Sequence, residues 1–303
     1  MSMITLTPTV EETGSGVAAG LIRAVRPRQW VKNVLVLAAP FASGGLTDPV
    51  VIARSVVAFV VFAMAASAIY LVNDARDVAE DRVHPTKCRR PIAAGIVPVP
   101  LAIGVAVALV LGSLGMALVT DPRLALVIGV YLAVQTGYCL GLKDQPVIDI
   151  AIVSSGFLLR AIAGGAAAGI ALSQWFLLAT AFGSLFMVAG KRYAEVRLFE
   201  STGAQIRKAL TCYSASYLRF VWTLAATVLV TTYGLWAFEM NARTESIWPL
   251  ISMVPFAVGV LRYAVDVDGT AAGEPEGVVL GDRMLLALGV SWACALALAV
   301  YLP

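Results

Sequence analysis

Eight stretches of this chain, at 50–72, 99–119, 124–142, 150–172, 174–190, 220–238, 247–265 and 284–302, are apolar over nearly the length that a bilayer's hydrocarbon requires. About 20 consecutive apolar residues in a helix cover that thickness, and no water-facing fold needs so many. Composition agrees: 59% of the 303 residues are apolar and 14% are charged, against about 25% charged in a soluble domain. That excludes a soluble enzyme, a disordered chain and a fibrous repeat. It predicts an all-α integral membrane protein, with residues 1–303 forming a single membrane domain. The stretch VKNVLVLAAPFA (31–42) is too short to span alone. A ninth span is expected there if its helix begins near Gly16 and carries Arg23, Arg26 and Arg28 on a wet face. Residues 1–15 read as a flexible N-terminus, with no basic segment running into an apolar core, so no cleaved signal peptide is expected. The four cysteines are scattered without a CxxC pair, which suits neither a zinc site nor a disulfide framework.

The basic residues then fix an orientation. Nine spans put eighteen of the 22 Lys and Arg on the N-terminal side, and only Arg54, Arg123 and Arg243 on the other; Arg160 falls inside a span. Loop Lys/Arg bias sets topology, so the N-terminus is expected in the cytoplasm of a multi-pass inner (plasma) membrane protein. Three cytoplasmic loops, about 73–98, 191–219 and 263–283, are long; the first two are densely charged. The third is acidic, with Asp266, Asp268, Glu274, Glu276 and Asp282. Long loops in compact proteins tend to be functional, so the chemistry is expected at the cytoplasmic mouth. No nucleic-acid partner is expected.

The first loop opens on Asn73-Asp74-Ala75-Arg76-Asp77-Val78-Ala79-Glu80-Asp81. If the preceding span continues as a helix, Asn73, Asp77 and Asp81 share one face at four-residue spacing, with Asp74 one turn before Asp77. Hard oxygens converging there repel one another unless a cation lies among them. Magnesium takes oxygen ligands and favours one or two carboxylates plus substrate phosphates; a solvated helix end is the plainer alternative. His84-Pro85-Thr86-Lys87-Cys88-Arg89-Arg90-Pro91 follows as a loop. Its Lys87, Arg89 and Arg90 suit either anionic lipid head groups or substrate phosphates. His84, the single histidine, is given no role.

A second charged element, Lys191-Arg192-Tyr193-Ala194-Glu195, ends the 174–190 span, and Lys32 follows Trp30 near the first. Both read equally as interfacial anchors or as site residues. Arg160 stands within SSGFLLRAIAGG. Intramembrane charge is costly and faces a protein interior or a polar cavity, so Arg160 lines a cavity or makes an internal ion pair. Lys143 and Asp149 flank the start of the same span. Small residues such as Gly164, Gly165 and Gly169 allow close helix approach and leave room for a homo-oligomer.

These motifs together resemble the UbiA-type prenyltransferase superfamily. The resemblance runs through nearly the whole chain and implies a nine-transmembrane-helix bundle with a cytoplasmic-facing active-site cavity. It also implies a magnesium-dependent transferase that binds a diphosphate through two Asp-rich motifs. The first, NDxxDxxxD, is present. The second departs, because KRYAE carries two cations and one carboxylate where the family has DxxxD. RPRQWVKN, NDxxDxxxD, HPTKxRRPIAAG and MVAGKRYAE resemble one phosphoribosyl-transferring branch. That branch moves 5-phosphoribose from 5-phosphoribosyl 1-pyrophosphate to a polyprenyl phosphate for cell-wall arabinan synthesis. On this resemblance Asp77 and Asp81 are the catalytic pair, with Asn73 and Asp74 completing the Mg2+ ligands. Lys87, Lys191 and Arg192 hold donor phosphates, with Arg89 and Arg90 adding positive charge and Tyr193 in the same segment. Lys32, Lys143 and Arg160 hold donor or lipid phosphate, and Glu195 orients a neighbouring cation or meets a ribose hydroxyl. Two alternatives stay open. A prenyltransferase with a prenyl diphosphate donor and an aromatic acceptor would want the missing acidic motif. A transporter would place its site near the midplane on broken helices.

Overall fold

The computed structural model describes residues 10–202, 210, 212–269, 277 and 281–302, and every regular element among them is helical. We number the α-helices α1 Val10–Ala24, α2 Ala38–Ala42, α3 Pro49–Arg76, α4 Val78–Val83, α5 Val99–Thr120, α6 Pro122–Cys139, α7 Ile148–Ala168, α8 Gln174–Thr202, α9 Ala215–Thr244, α10 Trp248–Asp268 and α11 Arg283–Tyr301. Six of them, α3, α5, α7, α9, α10 and α11, are both long and apolar enough to cross a membrane. The all-α expectation and the multi-pass character hold.

The first expected span does not form one helix. α1 stops at Ala24, Arg26 turns to φ 54°, and a 3-10 segment runs from Pro27 to Leu37 before the short α2. Pro27 supplies the cause. A proline drives the residue before it out of the helical region, and it has no N–H to extend the helical ladder. Charged segments differ in the opposite sense. Lys191–Thr202, expected in a loop, is a continuation of α8, and α10 likewise runs on to Asp268. Arg207, Lys208, Glu274 and Glu276 lie outside the described residues.

The chain divides into two compact units. One comprises residues up to Val34 with Val57–Cys139, and the other comprises Leu35–Val56 with Leu140 onward. In the first unit α5 packs on α6, and Ala24, Ala68, Leu71, Ile92, Val97, Ala102 and Ala106 form a buried core. The 91–98 segment lies close against α1: a Cβ on Gly20 would stand 2.8 Å from the Ile96 side chain. Trp30 donates to Ser67 Oγ at 3.1 Å, and Ser67 donates to the Val25 carbonyl at 3.0 Å, so the 3-10 segment is pinned to α3.

In the second unit α8 packs on α7 and α9, and α10 packs on α9 and α11. Its core is larger and aromatic, with Phe186, Tyr193, Tyr213, Trp222 and Tyr263 among the buried residues. α2 lies against α7 through glycine. A Cβ on Gly164 would fall 1.8 Å from the Val36 carbonyl oxygen, so only glycine permits that backbone contact.

Candidate functional site

The NDxxDxxxD segment forms at the junction of α3 and α4. Asp77 leaves ideal helical geometry (φ −84°, ψ 11°), yet the hydrogen-bond ladder runs on through it. Asp77 N–H donates to the Asn73 carbonyl at 2.9 Å, and Asp81 N–H donates to the Asp77 carbonyl at 2.8 Å. The four-residue spacing is therefore kept, and Asn73, Asp77 and Asp81 share a face. Arg76 donates to the Cys139 carbonyl, and the Cys139 thiol lies 3.7 Å from Asn73 Oδ1. These contacts fasten the end of α3 to the end of α6.

Around this face the carboxylates are matched by fixed cations. Asp74 and Asp81 are each only 2% exposed. Arg26 grips Asp74 with both oxygens within 2.6 and 2.8 Å, and its guanidinium lies 4.8 Å from the Tyr70 ring centre. Arg90 Nη1 bridges Asp74 at 3.0 Å and Asp81 at 2.7 Å, while Lys87 Nζ stands 4.0 Å from the other Asp81 oxygen. A buried carboxylate demands such partners, because desolvation of an unpaired charge costs several kcal/mol. Arg89 is exposed on the short helical turn Lys87–Arg89. His84 accepts from the Thr86 N–H at 3.2 Å and so organises its own loop. Arg26 was missed as a site residue by the sequence reading. An arginine before proline looks like an interfacial anchor until the helix break turns it back onto Asp74.

The KRYAE segment lies inside α8 of the second unit. Arg192, 4% exposed, has Nε 3.4 Å from Asp149 Oδ2 and donates from Nη1 to Glu195 Oε2 at 3.0 Å. Asp149, 1% exposed, accepts a 2.6 Å hydrogen bond from the Tyr213 hydroxyl, which in turn accepts from the Val147 N–H. Burial and the adjoining Asp149 carboxylate push the Tyr213 phenol well above its ordinary value, so it stays protonated and donating. Val147 has φ 69°, an outlier for a β-branched residue. The Tyr213 clamp is what holds it. Asp149 and Tyr213 belong to this cluster, and the visible sequence signal was a lone carboxylate opening an apolar helix.

Tyr193 takes a different place. Its hydroxyl donates to Asp268 and accepts from Arg219, which also pairs with Asp268 at 2.8 Å, joining α8, α9 and α10. Arg160 is 5% exposed, donates to the Gly156 carbonyl at 2.6 Å and lies 5.7 Å from the Phe157 ring centre. Lys32, Lys143 and Lys191 are half-buried. The structure thus brings Asp74, Asp81, Lys87 and Arg90 together in the first unit, and Arg192 and Glu195 together in the second.

α3, a long apolar helix, ends in buried carboxylates paired with cations. The chain belongs to the UbiA prenyltransferase family, which matches residues 34–289. It is 58% identical to the decaprenyl-phosphate phosphoribosyltransferase of Mycobacterium tuberculosis, over 96% of this chain and 97% of that protein. It is also 58% identical to the protein of the same name from Corynebacterium glutamicum, over 94% and 88% of the two chains. Its fold is similar to that of a UbiA homolog from Archaeoglobus fulgidus bound to GPP and Mg2+. There the TM-score is 0.70 at 17% identity, covering 93% of this chain and 98% of that one.

Proposed function

We propose that this chain transfers 5-phosphoribose from 5-phosphoribosyl 1-pyrophosphate to decaprenyl (polyprenyl) phosphate. The products are decaprenylphosphoryl 5-phosphoribose, destined for cell-wall arabinan, and pyrophosphate. The observation that carries this reading is the end-to-end 58% identity to phosphoribosyltransferases. The cation-rich surroundings of the acidic motif support it. The donor's diphosphate and 5-phosphate and the acceptor's phosphate are three anionic groups, and Arg, Lys and Mg2+ clamps are the usual means of stabilising such charge.

The donor set of the first unit fits magnesium. Asn73, Asp77 and Asp81 offer hard oxygens on one helix face, and magnesium needs only one or two carboxylates beside waters and phosphate oxygens. Bound there, it would neutralise charge on the departing pyrophosphate. In this reading Arg90 and Arg26 hold Asp74 and Asp81 in place while Lys87 and Arg89 meet donor phosphate. Lys191, beside the fixed charge of Arg192, is a further candidate for phosphate. Lys32, Lys143 and Arg160 remain the candidates for lipid phosphate.

The bond from C1 of the ribose to pyrophosphate breaks as the bond from C1 to the lipid phosphate oxygen forms. That oxygen is already ionised near neutral pH, so no general base is needed, and His84, engaged with its own loop, supplies none. Attack from the face opposite the leaving group inverts C1. The bundle in this reading has nine spans with the N-terminus and site cytoplasmic, supported by eighteen basic residues against three. The polyprenyl tail lies among apolar helices in contact with membrane lipid.

One assay tests the reaction. Purified protein, radiolabelled 5-phosphoribosyl 1-pyrophosphate, polyprenyl phosphate and Mg2+ should give a labelled lipid. Asp77→Asn should cut the rate on the order of 1000-fold, the loss of several kcal/mol of charge stabilisation, without unfolding the protein. Absence of labelled lipid from the parent, or full activity in Asp77→Asn and Asp81→Asn alike, would refute the reaction or the metal ligands respectively.

A further inference from the structure

The chain's single imidazole stands in the connection that carries Lys87, Arg89 and Arg90. His84 Nδ1 is met by the Thr86 N–H at 3.2 Å, by the Lys87 N–H at 3.4 Å and by the Thr86 hydroxyl at 3.3 Å. All three groups lie within three residues of the ring and converge on one nitrogen. A ring nitrogen that accepts backbone N–H groups carries no proton of its own, so the neutral imidazole bears its hydrogen on Nε2.

These contacts complete a turn that is weakly held without them. Lys87–Arg89 is a single 3-10 turn, and Thr86 at its N-terminal cap offers it no side-chain bond. The first N–H groups of any helical turn have no partner within it, and His84 Nδ1 supplies one for the N–H groups of Thr86 and Lys87. The backbone bonds around the turn are mostly long: Cys88 N–H to the His84 carbonyl at 3.3 Å and Arg89 N–H to the Thr86 carbonyl at 3.4 Å. Only Arg90 N–H to the Lys87 carbonyl, at 2.9 Å, has the usual length. Pro85, between the ring and the turn, has no N–H to add. Yet this turn carries Lys87 Nζ to 4.0 Å from Asp81 and leads into the Arg90 bridge between Asp74 and Asp81.

We infer that His84 is a positioning residue: its Nδ1 caps the Lys87–Arg89 turn and so sets Lys87 and Arg89 for the donor's phosphates. No proton passes through the ring. Pro85 and Thr86 are exposed and His84 is half-buried, so the cap governs the geometry of this connection and not the packing of a core. The inference rests on the proposed function for what Lys87 and Arg89 hold, and it adds a residue on which donor affinity depends while lipid affinity does not.

The experiment uses the purified full-length protein in the labelled-donor assay, with 5-phosphoribosyl 1-pyrophosphate and polyprenyl phosphate varied in turn. His84→Ala should raise the donor KM about 10-fold, the strength of one or two net hydrogen bonds. Its kcat, its lipid KM and its melting temperature should match the parent, because binding lost equally from ground and transition states acts on KM alone. His84→Asn places an amide oxygen where Nδ1 stands and should restore the parent's donor KM. His84→Gln, whose oxygen reaches the Nε2 position instead, should not. With Lys87→Ala and Arg89→Ala already present, His84→Ala should add no further rise, since residues that act through one another are not additive. An unchanged donor KM in His84→Ala, restoration by Gln in place of Asn, or a full further rise in the combined variant overturns the inference. Absence of labelled lipid from the parent refutes the proposed reaction, and the cap is then read without turnover, by amide hydrogen exchange. Exchange across 84–90 should be faster in His84→Ala than in the parent and in His84→Asn; equal exchange in all three overturns the cap.

Discussion

At the scale of single residues, the site shows which charges are legible in sequence and which are not. The spacing of Asn73, Asp77 and Asp81 was readable, and the backbone ladder through them keeps it. The cations that match them were only half readable. Arg90 was expected to touch substrate, yet it bridges Asp74 and Asp81. Arg26, expected only on the wet face of the first span, reaches Asp74 because it turns to φ 54° before Pro27. Tyr193, expected at the substrate, is instead 1% exposed and bonded to Asp268. A lysine lacks the planar guanidinium that lies against Tyr70 while it meets Asp74, so Arg26→Lys should lower the melting temperature of the purified protein. Arg28→Lys, at an exposed position two residues on, should leave it unchanged. Equal melting curves for the two variants would count against Arg26 as the holder of Asp74.

At the scale of elements, hydropathy located most helices well but their ends badly. It follows apolar residues, whereas a helix continues as long as its backbone is bonded. That is why α8 runs on through KRYAE to Thr202, and why the first expected span breaks at a proline inside an otherwise suitable run. Helix contacts bring a test of their own. Gly164→Ala would drive a methyl into the Val36 carbonyl, a backbone atom that cannot swing aside. Overpacking of this kind should destabilise the protein by about 3 kcal/mol, read by thermal or denaturant unfolding in detergent.

The start of α11 offers a pH-dependent test. Asp282 accepts from Arg262 at 2.6 Å and from the Met284 N–H at 2.7 Å. The Arg262 bond, foremost, holds its carboxyl below the ordinary carboxylate value. A depressed folded value means that stability is present above the ordinary range and is lost as pH falls through the folded one. Asp282→Asn should therefore melt below the parent at neutral pH, with the gap closing as the solution is acidified. A gap independent of pH would remove the ionic part of this contact.

At the scale of the whole molecule, composition and the apolar stretches were enough to read an all-helical, multi-pass protein, and the resemblance of its motifs placed it in the UbiA family. Sidedness has a direct readout in the cysteines. Cys212 is exposed and follows the charged end of α8. On the proposed orientation, which puts that end in the cytoplasm, a membrane-impermeant maleimide should label Cys212 only after intact cells are permeabilised, scored in a variant where the other three cysteines are serine. Labelling of intact cells would invert the orientation. The backbone at Val147 has a practical corollary. A β-branched residue at φ 69° and ψ −46° carries about 1–3 kcal/mol of backbone strain, and glycine there would relieve it at some loss of chain entropy. Val147 is 53% exposed, so little packing would be forfeited. Whoever needs a hardier preparation for inhibitor screening should begin with Val147→Gly, and should expect longevity in detergent to come with a looser grip on the arginine that the neighbouring tyrosine helps to aim.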